Sequence, residues 1–239
     1  MRATRPEGWQ PPPKPQRRYL RWLIVAIMAS IVVSIALVLP LRWFAPGTTA
    51  FMLRDDSGRD PLLHVWTPWE EIGSAMPLAV VAAEDQRFAD HFGLDVDSIQ
   101  QSLDEAERGE GLRGASTITQ QLAKNLYLTP SRSFIRKALE AYLAVVIETC
   151  LPKRRILELY LNIIELGPGI YGVGAASQHF FAKSASELSD AEAALLAAVL
   201  PNPIRLKVDA PSDYVRERQQ WVLGQMRRLR NEAWLTRLE

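Results

Sequence analysis

A chain of 239 residues with 48% apolar side chains is long enough for one sizeable domain plus an appendage. A formal net charge of +1, with basic residues scattered rather than laid in a stripe beside aromatics, supplies no field suited to nucleic acid. The single Cys150 cannot close an internal disulfide and reads as a buried, inert thiol, and His64, His91 and His179 lie too far apart for zinc spacing.

Residues 1–19, with Pro11-Pro12-Pro13 and Pro15, hold too little apolar surface to fold alone and read as a short tail. Trp22 to Leu41 carries no charge and has the length, about 20 residues, of a helix that crosses a bilayer. Arg2, Arg5, Lys14, Arg17, Arg18 and Arg21 precede it, so the positive-inside rule puts the tail in the cytoplasm and everything after Leu41 outside. A cleaved signal peptide would have an apolar core of about 7–15 residues and a small-residue cleavage site. Here Pro40, Arg42 and Trp43 follow instead. The expected organisation is a tail over 1–19, a transmembrane anchor over 20–41, a tether over 42–66 and a catalytic domain over 67–239. Helical signals dominate that domain, without internal repeats or a series of alternating strands.

The apolar stretch Met76–Ala83 buries the chain up to Glu84, which opens the motif Glu84-Asp85-Gln86-Arg87-Phe88-Ala89-Asp90-His91-Phe92-Gly93. A carboxyl emerging from apolar surroundings has its pKa raised by desolvation, the property a general base working near neutral pH needs. Asp97 can cap a helix from Ser98 to Arg108, after which Gly109, Gly111 and Gly114 mark a candidate mobile loop. Gly114-Ala115-Ser116-Thr117-Ile118-Thr119-Gln120-Gln121-Leu122-Ala123-Lys124-Asn125 offers hydroxyls, amides and an ammonium suited to sugar hydroxyls and phosphate, and Thr117 with Gln120 also forms a capping box.

Ile135, Leu139, Tyr142 and Val146 follow helical spacing, with Arg136 and Glu140 at the edge of that stripe, so Glu140 borders the core. A bare surface ion pair between Arg136 and Glu140 is the simpler reading of those two residues. Lys153–Leu166 suits a buried helix whose one polar line is Glu158, Asn162 and Glu165, and Ser189 with Glu192 caps an alanine-rich helix that Pro201 ends. Gly167–Gly172 fits GxGxxG but lacks a βαβ setting. Asp95-Val96-Asp97 fits a DxD metal motif, but Asp97 is better explained as a cap.

These motifs, in this order and spacing, closely resemble the peptidoglycan glycosyltransferases that polymerise lipid II, glycosyltransferase family 51, from about Thr67 to Val215. The ending from Leu200 to Trp221 is similar to the monofunctional members, with no SxxK motif following. The resemblance implies a mainly α, lysozyme-like bilobal fold, with a head and a membrane-facing jaw around an extended cleft, behind one N-terminal transmembrane helix. It implies Glu84 as the base that deprotonates the acceptor's GlcNAc 4-hydroxyl and Glu140 as a second essential glutamate. It places Lys124 and Arg136 against the leaving pyrophosphate, and Asp85, Phe88, His91, Ser116, Thr117, Gln121 and Asn125 where they shape or line the cleft. Implied partners are lipid II, the growing lipid-linked glycan, the membrane and cell-wall synthesis or division proteins, in the inner membrane of a diderm bacterium. A divalent cation, Mg or Mn, near Glu140 is a candidate cofactor, although no ligand cluster marks it. Ala115 stands where the family usually has a second glycine, and Phe181-Ala182-Lys183 departs in part from the usual pattern. A lysozyme-like peptidoglycan hydrolase and a non-catalytic cell-wall scaffold are the alternatives.

Overall fold

The computed structural model describes residues 17–108, 116–131, 133–231 and 234–238. The Gly109–Gly114 loop and Ala115 therefore lie outside the described residues. Helix α1 (Arg17–Val38) runs into a 3₁₀ turn at Leu39–Arg42. Within Tyr19–Arg42 the most apolar 18-residue stretch has a mean hydropathy of 2.8, and only 6% of it is buried against protein. An apolar helix that its own protein leaves uncovered is built to face lipid, so the chain carries a single-pass membrane anchor.

The domain beyond it is helical, with one small sheet. In chain order come β1 (Leu63–His64), α2 (Ala75–Glu84), α3 (Val96–Glu107), α4 (Ile118–Tyr127), α5 (Phe134–Cys150) and α6 (Lys153–Ile163). They are followed by β2 (Glu165–Gly167), β3 (Ile170–Tyr171), α7 (Val173–Phe181), α8 (Asp190–Val199) and α9 (Asp213–Asn231). Strand order is β1-β3-β2, with Leu63 beside Ile170 in a parallel pair and β2 antiparallel to β3. Helix α2 is buried from Ala75 to Ala82 and packs against α8 and α9, while α4 lies against α5 and α6. At ten residues α2 is too short to cross a bilayer, so its apolar faces are covered by protein, and its buried course delivers Glu84 to the end of the core.

Both predicted capping boxes form, Thr117 with Gln120 and Ser189 with Glu192. Other expectations change. The cap of α3 is Asp95, which accepts from the Ser98 N–H at 3.1 Å, while Asp97 sits in the first turn and pairs with Arg87. Helix α6 stops at Ile163 rather than Leu166, because Ile164 turns extended and Glu165 begins β2. The polar line on α6 docks the incoming chain: Asn162 holds Thr67 in both directions, at 2.7 and 2.9 Å, and Glu158 accepts from the Trp69 N–H.

Residues 42–66 are not a loose tether. Thr49 and Met52 are buried, Ala50 and Phe51 donate to the carbonyls of Leu126 and Asn125, and β1 joins the sheet. The stripe expected to bury α5 does so only toward its C-terminal end: Ile135 is 76% exposed and Leu139 47%, whereas Val146 is buried. The glycine run 167–172 covers the end of β2, the turn into β3, β3 itself and the N-cap of α7. Gly172 has φ +81°, and a Cβ there would meet the Asn162 carbonyl at 2.5 Å, which explains the glycine without a nucleotide.

Candidate active site

Glu84, the last residue of α2, presents its carboxylate to two other helices. Its Oε2 accepts from the Gln121 amide of α4 at 2.8 Å, and its Oε1 faces Arg218 Nη2 of α9 at 3.3 Å. Burial pushes the Glu84 pKa above the ordinary carboxylate value, with Gln121, Arg218 and Lys124 opposing it. A raised carboxyl pKa is the direction that favours general-base work near neutral pH.

The neighbouring Asp85 turns inward. It accepts from His91 Nε2 at 2.9 and 3.0 Å and from the backbone N–H of Ile118 at 3.0 Å. Ile118 opens α4, so Asp85 satisfies an N–H that no turn of that helix could satisfy and pins the end of α2 to the start of α4. Thr117 completes the junction, accepting from the Gln120 N–H and donating to the Gly93 carbonyl at 2.6 Å. Phe88, at 0% exposure, packs in the core beneath the site, with Lys153 Nζ 4.5 Å from its ring centre and His91 edge-on to it. Its apolar bulk anchors the loop that follows Glu84.

Helix α5 supplies the second carboxylate. Glu140 is 3% exposed, and its two oxygens take Arg136 Nη1 and Lys137 Nζ, each at 2.5 Å. Lys137 also donates to Ser116 Oγ at 2.8 Å. The bare surface ion pair is thus replaced by a buried acceptor with two cationic partners. Burial pushes the Lys124 pKa down while Glu140 opposes, and its ammonium lies 5.4 Å from the Phe51 ring.

Two cavities meet at Glu84 and Ser116. One, of about 440 Å³, is walled by Asp85, Arg87, Asp95 and the polar face of α3. The other, of about 260 Å³, is lined by Gln121, Lys124, Arg136, Lys137 and Glu140. A third, of about 230 Å³, shares Gln121 and Lys124 with the second and includes Asn125, Tyr160 and Glu165. Of the expected site residues, all but Phe88 and His91 line one of these cavities. His91 instead contacts Asp85 and the edge of the Phe88 ring.

Three contributors were not expected. Lys137 stands three residues before Glu140, a helical spacing that could have revealed it. Arg218 lies 134 residues beyond Glu84 and carries no local signal. Tyr160 looks like one more core position of α6, yet its hydroxyl reaches Gln121 at 2.8 Å.

The arrangement does not suit a divalent cation beside Glu140, because both carboxylate oxygens already hold cationic donors. Among the described residues no group of three or more His, Cys, Asp or Glu side chains could hold a metal ion.

The family model described as Transglycosylase matches residues 57–227. A biosynthetic peptidoglycan transglycosylase of Shewanella amazonensis is 48% identical over 219 residues, covering 89% of each chain. The protein of that name from Marinomonas sp. is 54% identical over 81% of this chain and 85% of its own. Its namesake from Citrobacter koseri is 57% identical over 72% of both. A largely buried carboxylate beside a cation-lined cavity, a lipid-facing helix and this breadth of similarity converge, and the chain belongs to the transglycosylase family.

Proposed function

We propose that this protein is a peptidoglycan glycosyltransferase that polymerises lipid II into β-1,4-linked glycan, working from the outer face of the inner membrane with its N-terminus in the cytoplasm. The observation that carries the reading is the position of Glu84, a largely buried carboxylate of raised pKa at the mouth of a cavity lined by Lys124, Arg136 and Lys137. A base alone fits many reactions. A base next to a cluster of cations fits one in which a hydroxyl is deprotonated while an anion departs.

In that reaction Glu84 takes the proton from the 4-hydroxyl of the acceptor GlcNAc. The oxygen forms a bond to C1 of the terminal MurNAc of the growing chain. The C1–oxygen bond to the undecaprenyl pyrophosphate breaks, its electron pair stays with the pyrophosphate, and the anomeric centre inverts. Lys124, Arg136 and Lys137 offset the charge developing on that leaving group, with Glu140 holding the last two in place. The anchor supports the reading because a lipid-linked donor is found only where the membrane is.

The test is turnover of labelled lipid II by detergent-purified protein, separated on a gel. Wild type should give a glycan ladder sensitive to lysozyme, and Glu84→Gln should give none while melting like wild type. Soluble fragments released from finished glycan, without a ladder from lipid II, would replace this reading with a hydrolase.

A further inference from the structure

The Gln121 side chain can meet Glu84 in two ways: with its NH2 group, which donates, or with its oxygen, which would repel the carboxylate. Nothing in Gln121 itself selects between them. The selection comes from α6. Tyr160 is 1% exposed and its hydroxyl lies 2.8 Å from Gln121 Oε1, while Gln121 Nε2 lies 2.8 Å from Glu84 Oε2. A phenol hydroxyl that donates to Oε1 leaves only the NH2 group for the carboxylate.

We propose that Tyr160 is a positioning residue that fixes the Gln121 amide so that it donates to Glu84 and holds this base in its ionised, correctly aimed form. The inference rests on the reading of Glu84 as the general base. Burial beside Glu84 and Asp85 pushes the Tyr160 pKa well above its usual value, so the phenol stays protonated and remains a donor at any working pH. The charged groups around Glu84 come from every side: Arg218 from α9, Lys124 from α4, Asp85 next in the chain, and Arg136, Lys137 and Glu140 across the cavity. None of these contacts the Gln121 amide oxygen, so none substitutes for the phenol.

The experiment is the pH dependence of kcat/KM on lipid II for Tyr160→Phe and Gln121→Leu, with Glu84→Gln alongside. Tyr160→Phe keeps the ring and its packing and removes only the hydroxyl. Losing the oriented donor raises the Glu84 pKa, so the acidic limb should move up by about one pH unit, with a roughly tenfold loss below it and recovery above it. Gln121→Leu, which cuts the same link at its partly exposed end, should move the limb the same way, and adding Tyr160→Phe to it should change nothing further.

An unmoved limb in either single variant, or additive losses in the double variant, would overturn the role of Tyr160. Should Tyr160→Phe fail to fold, Tyr160→Leu, which also removes the hydroxyl, takes its place: a moved acidic limb supports the link and an unmoved one refutes it. Residual wild-type turnover in Glu84→Gln would instead remove the base assignment itself, a distinct result.

Discussion

Replacing Glu140 by glutamine keeps the side-chain volume and removes the charge between Arg136 and Lys137. One amide oxygen can still accept from one of the two cations, but the other cation now faces an NH2 group that donates. The Lys137 side chain is 45% exposed, so solvent screens its loss and its share is small. The Arg136 side chain is 19% exposed and Glu140 3%, so that contact behaves as a buried charge-assisted hydrogen bond, worth about 2 kcal/mol. For a chain of this size that corresponds to a fall in Tm of roughly 4–8 °C. Activity should suffer more than stability. Arg136 already has a buried Nε without a partner among the described residues, so Glu140 is what aims its guanidinium. Misaiming one electrostatic stabiliser of a developing charge costs about 10²–10³ in kcat. Steady-state turnover of lipid II alongside thermal melts measures both quantities. A variant that melts several degrees lower yet polymerises at the wild-type rate would refute the reasoning and reduce Glu140 to a strut of α5.

Two further outcomes follow from the titrating groups. Arg218 is one of the influences that hold the Glu84 pKa down against burial, so Arg218→Met should move the acidic limb of kcat/KM to higher pH, with activity lost near neutrality and regained above it; a uniform loss at every pH would mean that Arg218 only packs. Burial pushes Glu165 up to about 7 from an ordinary 4.5, against the opposing Gly169 N–H and with Asp55 and Asp56 adding to the rise. A carboxyl whose folded-state pKa lies above the unfolded one binds its proton more tightly in the native state, so stability falls as pH rises from about 4.5 toward 7. Glu165→Gln should therefore melt higher than wild type at pH 8 and show no gain at pH 4, and equal melts at pH 8 would contradict the shift.

Much of this was legible in the chain because local chemistry and global fold agree. The uncharged run to Leu41, the capping boxes at Thr117 and Ser189 and the all-apolar α2 are each explained within one turn or one helix. What escaped depends on contacts distant in sequence. Asp95 and Asp97 both precede Ser98 and both pair with Arg87, and only the backbone path decides that the Ser98 N–H donates to Asp95. The α5 stripe has a correct period, but a period names a face without saying what covers it, and Phe134 and Ile135 stay largely exposed. Ile163-Ile164-Glu165-Leu166 is too short a segment for periodicity to separate helix from strand. Phe88 sits in a polar motif, surrounded by site residues, yet its own chemistry is that of the core.

The distribution of charge about Glu84 bears on how the site would respond to its donor. Lys124 lowers the Glu84 pKa and lines the cavity proposed for the pyrophosphate. A bound dianion there would cancel much of that influence, since the two charges act on Glu84 from the same side and through the same low-dielectric wall. Burial would then be opposed chiefly by Gln121 and Arg218, and the carboxylate would hold a proton more tightly than in the empty site. Glu84 would thus be a stronger base once the donor is in place than before it arrives. That coupling needs no movement of the backbone. It requires only that the cations recognising the leaving group lie close enough to the base to be felt by it, which is how α4 places Gln121 and Lys124 one turn apart, each facing one half of the reaction.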